Sequence, residues 1–139
     1  MKSPTVRRIL VAVDFSSCSR AALELACSLG AALGATLEVM FVSQPENGQD
    51  LGTKELGAAK EELHRFVASA QRESAVSLGE RIELGDARER IVSIAESEGF
   101  DLIVLGTHGR TGRPRMLAGS VAESVVRTAS RPVVTGREA

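Results

Sequence analysis

The hydrophobic and polar positions of the chain alternate between short apolar runs and longer stretches with apolar residues three or four positions apart. Short apolar runs are typical of strands buried on both faces of a sheet, and the wider spacing is typical of helices that bury one face. The pattern predicts five strands, over Arg8–Asp14, Thr36–Val42, Glu80–Leu84, Leu102–Leu105 and a short run from Pro132. It predicts four helices between them, over Ser16–Gly34, a stretch that includes Leu56 to Ala70, Ala87–Glu98 and Val121–Ala129.

Each predicted helix has an apolar face that should lie against the sheet. Ser16 and Gly34 are typical of the start and the end of the first helix. The predicted inward positions are Leu23, Ala26, Leu29 and Leu33, then Leu56, Ala59, Leu63, Phe66 and Ala70, then Ile91, Ile94 and Ala95, and finally Val121, Val125, Val126 and Ala129. Alternating strands and helices predict an α/β fold, with a doubly wound, mostly parallel five-stranded sheet of the Rossmann-like kind and helices on both faces.

Composition limits the classes of function. The 139 residues are expected to form one domain, 1–139, that buries ~68% of its unfolded surface. A net charge of −1, with no Trp or Tyr and four Phe, argues against nucleic-acid binding. The first residues lead into a strand rather than a signal peptide, and no apolar run approaches the ~20 residues of a membrane span. Cys18 and Cys27, nine apart on one predicted helix, are expected to stay unpaired, and a cytoplasmic location is the simplest interpretation.

A glycine-rich segment after the fourth predicted strand carries the strongest functional signal. It consists of Gly106-Thr107-His108-Gly109, nine further residues, and Gly119-Ser120 at the start of the last predicted helix. Glycine lets backbone N–H groups approach an anion, and a helix N-terminus adds unpaired donors. The spacing is not that of a P-loop or of G-x-G-x-x-G. Strand, glycine loop and helix in this order still predict a phosphate-binding site at the carboxyl end of the sheet.

The spacing G-x2-G-x9-G-[ST] resembles that of nucleotide-binding members of the universal stress protein family. Residues 101–110 are also similar to that family, as are Ile9 to Ser16 and the following Ser19 and Ala21-Ala22-Leu23. The resemblance covers nearly the whole chain. It implies the strand order 3-2-1-4-5, in which the first and fourth strands lie side by side where the order reverses. It also implies a homodimer through the last strand, from Val133 onward.

The resemblance further implies a nucleotide site. Asp14 would bind ribose hydroxyls, Ala12 and Val13 would contact the base, and Val42 would pack on adenine. The glycines and Ser120 would hold phosphates. The full expected set is Ala12, Val13, Asp14, Val42, Leu105, Gly106, Gly109, Arg110, Gly119, Ser120 and Val121. The implied ligand is ATP or ADP, with Mg²⁺ carried by the phosphates.

Several of these residues also have a simpler structural interpretation. Asp14 can merely steady the helix that follows it, and Val42 can be an ordinary core residue at a strand end. The glycines can be needed only because the chain turns in this loop, without binding phosphate. Ser120 and Glu123 have the spacing of a capping box, which leaves other N–H groups free for a phosphate.

The basic residues of the glycine-rich segment are open to two interpretations. Arg110, Arg113 and Arg115 can neutralise phosphates or be solvated, and Pro114 between them removes one N–H donor. His108 has no Ser, Cys or carboxylate partner in a triad-like pattern, and we expect it to be a loop residue.

Three functions are consistent with these features. The first is a regulatory ATP-binding protein of stress adaptation with an unidentified protein partner. The second is a slow ATPase on the same site, for which the sequence offers no convincing base. The third is a nucleotide-free dimeric interaction module. The complete glycine motif favours the first, while Pro132 and Gly136 weigh against strong pairing of the last strand.

Overall fold

A computed structural model of the chain describes residues 5–44, 52–70, 76–107 and 120–137. Strands and helices alternate along it as β1 (Arg8–Val13), α1 (Ser17–Leu33), β2 (Thr36–Ser43), α2 (Thr53–Ala70), β3 (Leu78–Leu84), α3 (Ala87–Ser97), β4 (Leu102–Gly106), α4 (Ser120–Thr128) and β5 (Val133–Gly136). The strands form one parallel sheet in the order β3-β2-β1-β4-β5. The predicted α/β fold and the strand order 3-2-1-4-5 are therefore confirmed.

The central strand β1 divides the core into two layers. Ile9, Val11 and Val13 pack with α1 and α2, whereas Leu10 and Ala12 pack with α3 and α4. Successive side chains of a strand point to opposite faces, so an unbroken apolar run fills both layers. Burial on both faces explains why this strand is apolar at every position from Ile9 to Val13.

The predicted boundaries of the first and third helices are confirmed by their caps. The Ser16 hydroxyl accepts a hydrogen bond from the Ser19 N–H at 3.1 Å, and Gly34 closes α1 with a left-handed φ of 68°. Asp86 caps α3 by accepting the Arg88 N–H at 2.9 Å. Such caps satisfy N–H and C=O groups that lack partners inside the helix.

Two predicted inward positions are wrong. Leu33 is half exposed because it lies in the last turn of α1, and Val126 is also more than half exposed. In the short helix α4, Val125 is buried as predicted, and Ala122, one turn away on the same face, is buried as well. The error at Val126 comes from choosing an apolar face without knowing how the helix is rotated on the sheet.

Two further predictions concern single side chains. Within the described residues, Glu123 pairs with Arg127 at 2.9 Å rather than with Ser120, and Ser120 is already helical, so the capping-box prediction is wrong in this respect. Cys18 and Cys27 are not joined by a disulfide, as predicted, and both are buried. In the described parts of the chain we find no helix with the length and hydropathy needed to cross a bilayer.

Candidate functional site

A pocket of about 480 Å³, partly open to solvent, lies at the carboxyl ends of β1, β2 and β4. We call it the switch-point pocket, because β1 pairs with β2 on one side and with β4 on the other, so that the strand order reverses there. The pocket continues the core layer formed by α3 and α4 out to the surface.

The fold brings most of the expected site residues together. Those that line the pocket are Ala12, Val13, Asp14, Val42, Leu105, Gly106 and Val121. Ser120 is exposed at the start of α4 and does not line it. Gly109, Arg110 and Gly119 lie outside the described residues, as do His108, Arg113 and Arg115.

Four lining residues were not expected from the sequence: Ser19, Met40, Ala87 and Ile91. Met40 lies two positions before Val42 on the same face of β2, and strand periodicity could have identified it. Ala87 and Ile91 are one turn apart at the start of α3, but no local pattern shows that this helix covers the pocket. The described wall is mostly apolar, with Asp14 and Ser19 as its polar members.

Asp14 belongs to a closed turn between β1 and α1. Its carboxylate oxygen Oδ1 accepts the Ser16 N–H at 3.0 Å, and its own N–H donates to the Ser19 hydroxyl at 3.2 Å. Ser16, not Asp14, caps the helix. Asp14 therefore steadies the helix entry, as the simpler interpretation expects. A carboxylate can accept about four hydrogen bonds, so this role is compatible with binding a ligand hydroxyl as well.

The residue inside this turn, Phe15, has an unusual backbone. Its φ is 66°, and within the described residues no other non-glycine residue has a positive φ. This left-handed conformation costs an L-residue about 1–2 kcal/mol. The Phe15 ring packs on Phe41 at 4.6 Å and edge-on to Phe66 at 5.4 Å between ring centroids. Two such aromatic pairs, at about 0.5–1.5 kcal/mol each, are comparable in size to the backbone cost.

Two glycines let the sheet approach α1 closely. Gly106 and Gly136 are register partners in β4 and β5. A Cβ on Gly106 would lie 2.8 Å from backbone atoms of Cys18 and Ser19, and one on Gly136 would lie 2.8 Å from the Ala22 Cα. Packing against α1 therefore requires glycine at both positions. Close packing on α1 therefore accounts for glycine at position 106 whether or not Gly106 also contacts a phosphate.

Asp101 occupies the opposite end of the sheet from the pocket. Its oxygen Oδ2 accepts the Arg7 and Arg8 N–H groups at 2.9 and 3.0 Å. These two backbone hydrogen bonds, first that from Arg7, lower the pKa of the Asp101 carboxyl. Hydrogen bonds to the charged form hold it ionised, so this aspartate ties the chain entering β1 to the start of β4.

A group of ion pairs lies at the outer strand β3 and its neighbour α3. Arg81 bonds to Glu83 and Glu98 at 2.7 Å, and Arg90 bonds to Glu83 at 2.7 Å. Burial alone raises the pKa of Glu83, but the hydrogen bonds from Arg90 and Arg81 outweigh it, so the pKa is lowered. The hydrogen bond from Arg81 likewise lowers the pKa of Glu98. None of these four residues lines the switch-point pocket.

Comparison with known sequences finds similarity to universal stress proteins. The sequence profile described as "Universal stress protein family" matches residues 5–137. Universal stress protein MJ0577 of Methanocaldococcus jannaschii is 45% identical over 53 residues, which are 38% of this chain and 33% of that protein. MJ0531 of the same organism is 37% identical over 95 residues, 68% of this chain and 56% of that protein. The chain thus matches a third to just over half of the length of these two relatives.

Solved structures share the fold over nearly the whole chain. Universal stress protein UspA from Lactobacillus plantarum is 25% identical with a TM-score of 0.80, and 97% of this chain and 100% of that one are covered. The fold is also shared by a universal stress protein solved in complex with cAMP, 24% identical with a TM-score of 0.70, with 95% and 97% covered. An Archaeoglobus fulgidus universal stress protein in complex with dAMP is 23% identical with a TM-score of 0.71, with 96% and 99% covered. At these last two identities the likeness is one of fold alone.

Proposed function

The chain belongs to the universal stress protein family, and from this premise we propose that it binds ATP in the switch-point pocket and acts as a nucleotide-responsive regulator in stress adaptation. The observation that carries the proposal is the pocket itself. An apolar cleft with one carboxylate on its wall opens at the carboxyl ends of β1 and β4, where the strand order reverses, and the glycine motif follows β4 in the sequence. Ligands of open α/β sheets bind at this place.

The pocket's chemistry suits the parts of an adenine nucleotide. Met40, Val42 and Ile91 offer aliphatic surface to a purine base, and Asp14 offers a carboxylate to ribose hydroxyls. The triphosphate would then extend towards the residues that follow β4, whose glycines and arginines suit anions. We expect Mg²⁺ to be held mainly by phosphate oxygens. The cAMP and dAMP complexes of the same fold indicate that this fold can accommodate an adenine nucleotide.

Regulation, rather than turnover, is the proposed use of this site. Nucleotide occupancy would change the surface around the glycine motif that a protein partner meets. ATP hydrolysis is expected to be absent or far slower than the ~10 s⁻¹ typical of enzymes. A multiple-turnover phosphate-release assay measures this directly, and rapid turnover that is lost in His108→Ala would contradict it.

Calorimetric titration with Mg-ATP tests the binding proposal. Wild type should bind, and Gly109→Val and Gly119→Val should abolish binding while the circular dichroism spectrum stays unchanged. Gly57→Val is the matched control, because a Cβ at Gly57 meets no atom within 4 Å and Gly57 does not line the pocket. Since the chain has no Trp or Tyr, co-purified nucleotide would also dominate its ultraviolet absorbance. Absence of binding by wild type at millimolar Mg-ATP would refute the proposal.

We also propose that two copies pair through β5. The sheet has two edges, and they differ in character. The edge strand β3 carries the ion-paired Arg81 and Glu83, a charge pattern that discourages pairing between sheets. The edge strand β5 carries two half-buried valines, Val133 and Val134, and has no charged residue. An uncharged edge with free N–H and C=O groups favours an isologous two-fold contact.

Sedimentation equilibrium at micromolar protein tests the dimer. Wild type should have twice the 14.7 kDa chain mass. Val134→Arg should reduce it to one chain, since it places charge in the contact. Leu84→Arg, at the end of the other edge strand, is the matched control and should leave the mass unchanged. A single-chain mass for wild type would contradict the dimer.

A further inference from the structure

The switch-point pocket has a direct aromatic support on the opposite face of the sheet. Asp14 and Val42 line the pocket, and their chain neighbours Phe15 and Phe41 pack instead in the core layer of α1 and α2. Phe66 of α2 completes this aromatic cluster, defined as Phe15, Phe41 and Phe66. The cluster thus joins α2 to the turn that holds Asp14.

We propose that the aromatic cluster positions Asp14 for ligand binding, and that Phe66 is a positioning residue that acts through Phe15 without lining the pocket. The inference rests on the proposed nucleotide site. It assigns to α2 an influence on ligand affinity, although no residue of α2 lines the pocket within the described part of the chain.

Phe15 links the aromatic cluster to Asp14 through its backbone. Its positive φ lies in a region that bulky residues avoid and keep only when their surroundings fix it. The turn around it is closed by two hydrogen bonds, from the Ser16 N–H to the Asp14 carboxylate and from the Asp14 N–H to Ser19. A change of φ at Phe15 would rotate Asp14 relative to Ser16. The carboxylate direction therefore depends on what holds the Phe15 ring.

Of the two rings that hold Phe15, Phe41 is itself fixed by the sheet, because it pairs in register with Val13. Phe66 comes from a helix and meets Phe15 edge-on, at an interplanar angle of 73°. Truncation of Phe66 removes one side of this support but leaves the pocket lining and the strand ladder intact. Phe66 can therefore be substituted without changing any residue that is proposed to contact the nucleotide.

Calorimetric titration of the full chain with Mg-ATP is the first test. Phe66→Ala should weaken binding roughly threefold to tenfold, the size of effect that remote residues in packed networks have. Phe66→Leu, which keeps apolar volume, should fall between it and wild type. Val67→Ala, on the next and more deeply buried residue, is the control that should lower stability without changing affinity. Unchanged affinity in a folded Phe66→Ala would overturn the proposal.

A double-mutant cycle with Asp14→Ala separates positioning from general loosening. If Phe66 acts through Asp14, Phe66→Ala should have no further effect on affinity once Asp14 is alanine. Equal losses of affinity in both backgrounds would contradict the proposal. The nuclear magnetic resonance shift of the Ser16 amide gives a readout without nucleotide, and it should move in Phe66→Ala but not in Val67→Ala. Failure of wild type to bind would refute the nucleotide site, whereas an unmoved Ser16 amide would refute the positioning role.

Discussion

Two aspartates flank the central strands at opposite ends of the sheet, and they are used differently. Asp101 precedes β4 and gives one oxygen to the Arg7 and Arg8 N–H groups. Asp14 follows β1, accepts the Ser16 N–H and lines the switch-point pocket. In the sequence both are simply acids next to an apolar run. An aspartate that hydrogen-bonds to the backbone across two strands thus stabilises the fold, whereas an aspartate on a pocket wall is available to a ligand.

The largest expected difference between the two aspartates is in ATP affinity. Asp14→Ala should cost about 1.5–3 kcal/mol of ATP affinity, the range for a hydrogen bond to a charged group, or roughly 10- to 150-fold in Kd. Titration calorimetry measures it. Asp14→Asn is the matched variant, because its amide oxygen can still accept the Ser16 N–H, and its loss should be smaller. If affinity is unchanged and only thermal stability falls, Asp14 is as structural as Asp101.

The next effect is on stability at the other end of the sheet. Asp101→Ala should lower the free energy of unfolding by about 1–2 kcal/mol, because two partly exposed N–H groups lose their charged acceptor. Urea denaturation followed by circular dichroism measures it, and ATP affinity should not change. Asp101→Asn should cost less, since both N–H groups use the same oxygen and an amide oxygen can replace it. A loss of ATP affinity in Asp101→Ala would contradict the purely structural role of Asp101.

Helix capping gives a smaller effect near the pocket. Ser16→Ala should lower the free energy of unfolding by about 1 kcal/mol, because the Ser19 N–H loses its cap. Its effect on affinity should be well below that of Asp14→Ala. Ser28→Ala, at an exposed position in the same helix, is the control and should change stability by less than about 0.5 kcal/mol. If Ser16→Ala weakens ATP binding as much as Asp14→Ala, affinity depends on the whole turn between β1 and α1 and not on the Asp14 carboxylate in particular.

The smallest expected effect is a difference in pH dependence. The folded pKa of Asp101 is below its ordinary value, so its contribution to stability is present above the ordinary carboxyl pKa and is lost as pH falls through the folded pKa. Glu83 and Glu98 have lowered pKa values and contribute in the same direction. Urea denaturation between pH 7 and pH 3 should therefore show a smaller acid-side loss of stability in Asp101→Asn than in wild type. An identical loss would mean that Asp101 does not contribute to the acid sensitivity.

Much of the fold could be predicted because its signals are local. The apolar runs gave the strands, Ser16 and Gly34 gave the ends of α1, and Ile91, Ile94 and Ala95 gave the buried face of α3. The exposure of Leu33 and Val126 could not be predicted, because tertiary packing decides which helix turns the sheet covers and how a helix is rotated on it. The strand order came from the family resemblance and not from periodicity.

The candidate site was predictable only in part, for a related reason. Asp14, Val42 and Gly106 stand at strand ends, and strand ends meet at one edge of a parallel sheet. Ala87 and Ile91 enter the pocket from a helix whose placement depends on the sheet as a whole. The positive φ of Phe15 and the close approach of Gly106 to α1 are likewise tertiary, because each is set by what packs against it.

A crystal structure of the protein grown with Mg-ATP would test whether the switch-point pocket binds an adenine nucleotide through Asp14. We expect a nucleotide whose base contacts Val42 and Ile91 and whose ribose hydroxyls lie about 2.6–3.0 Å from the Asp14 carboxylate oxygens, within the range for such hydrogen bonds. A nucleotide bound elsewhere on the molecule, or in the pocket with its ribose turned away from Asp14, would contradict it.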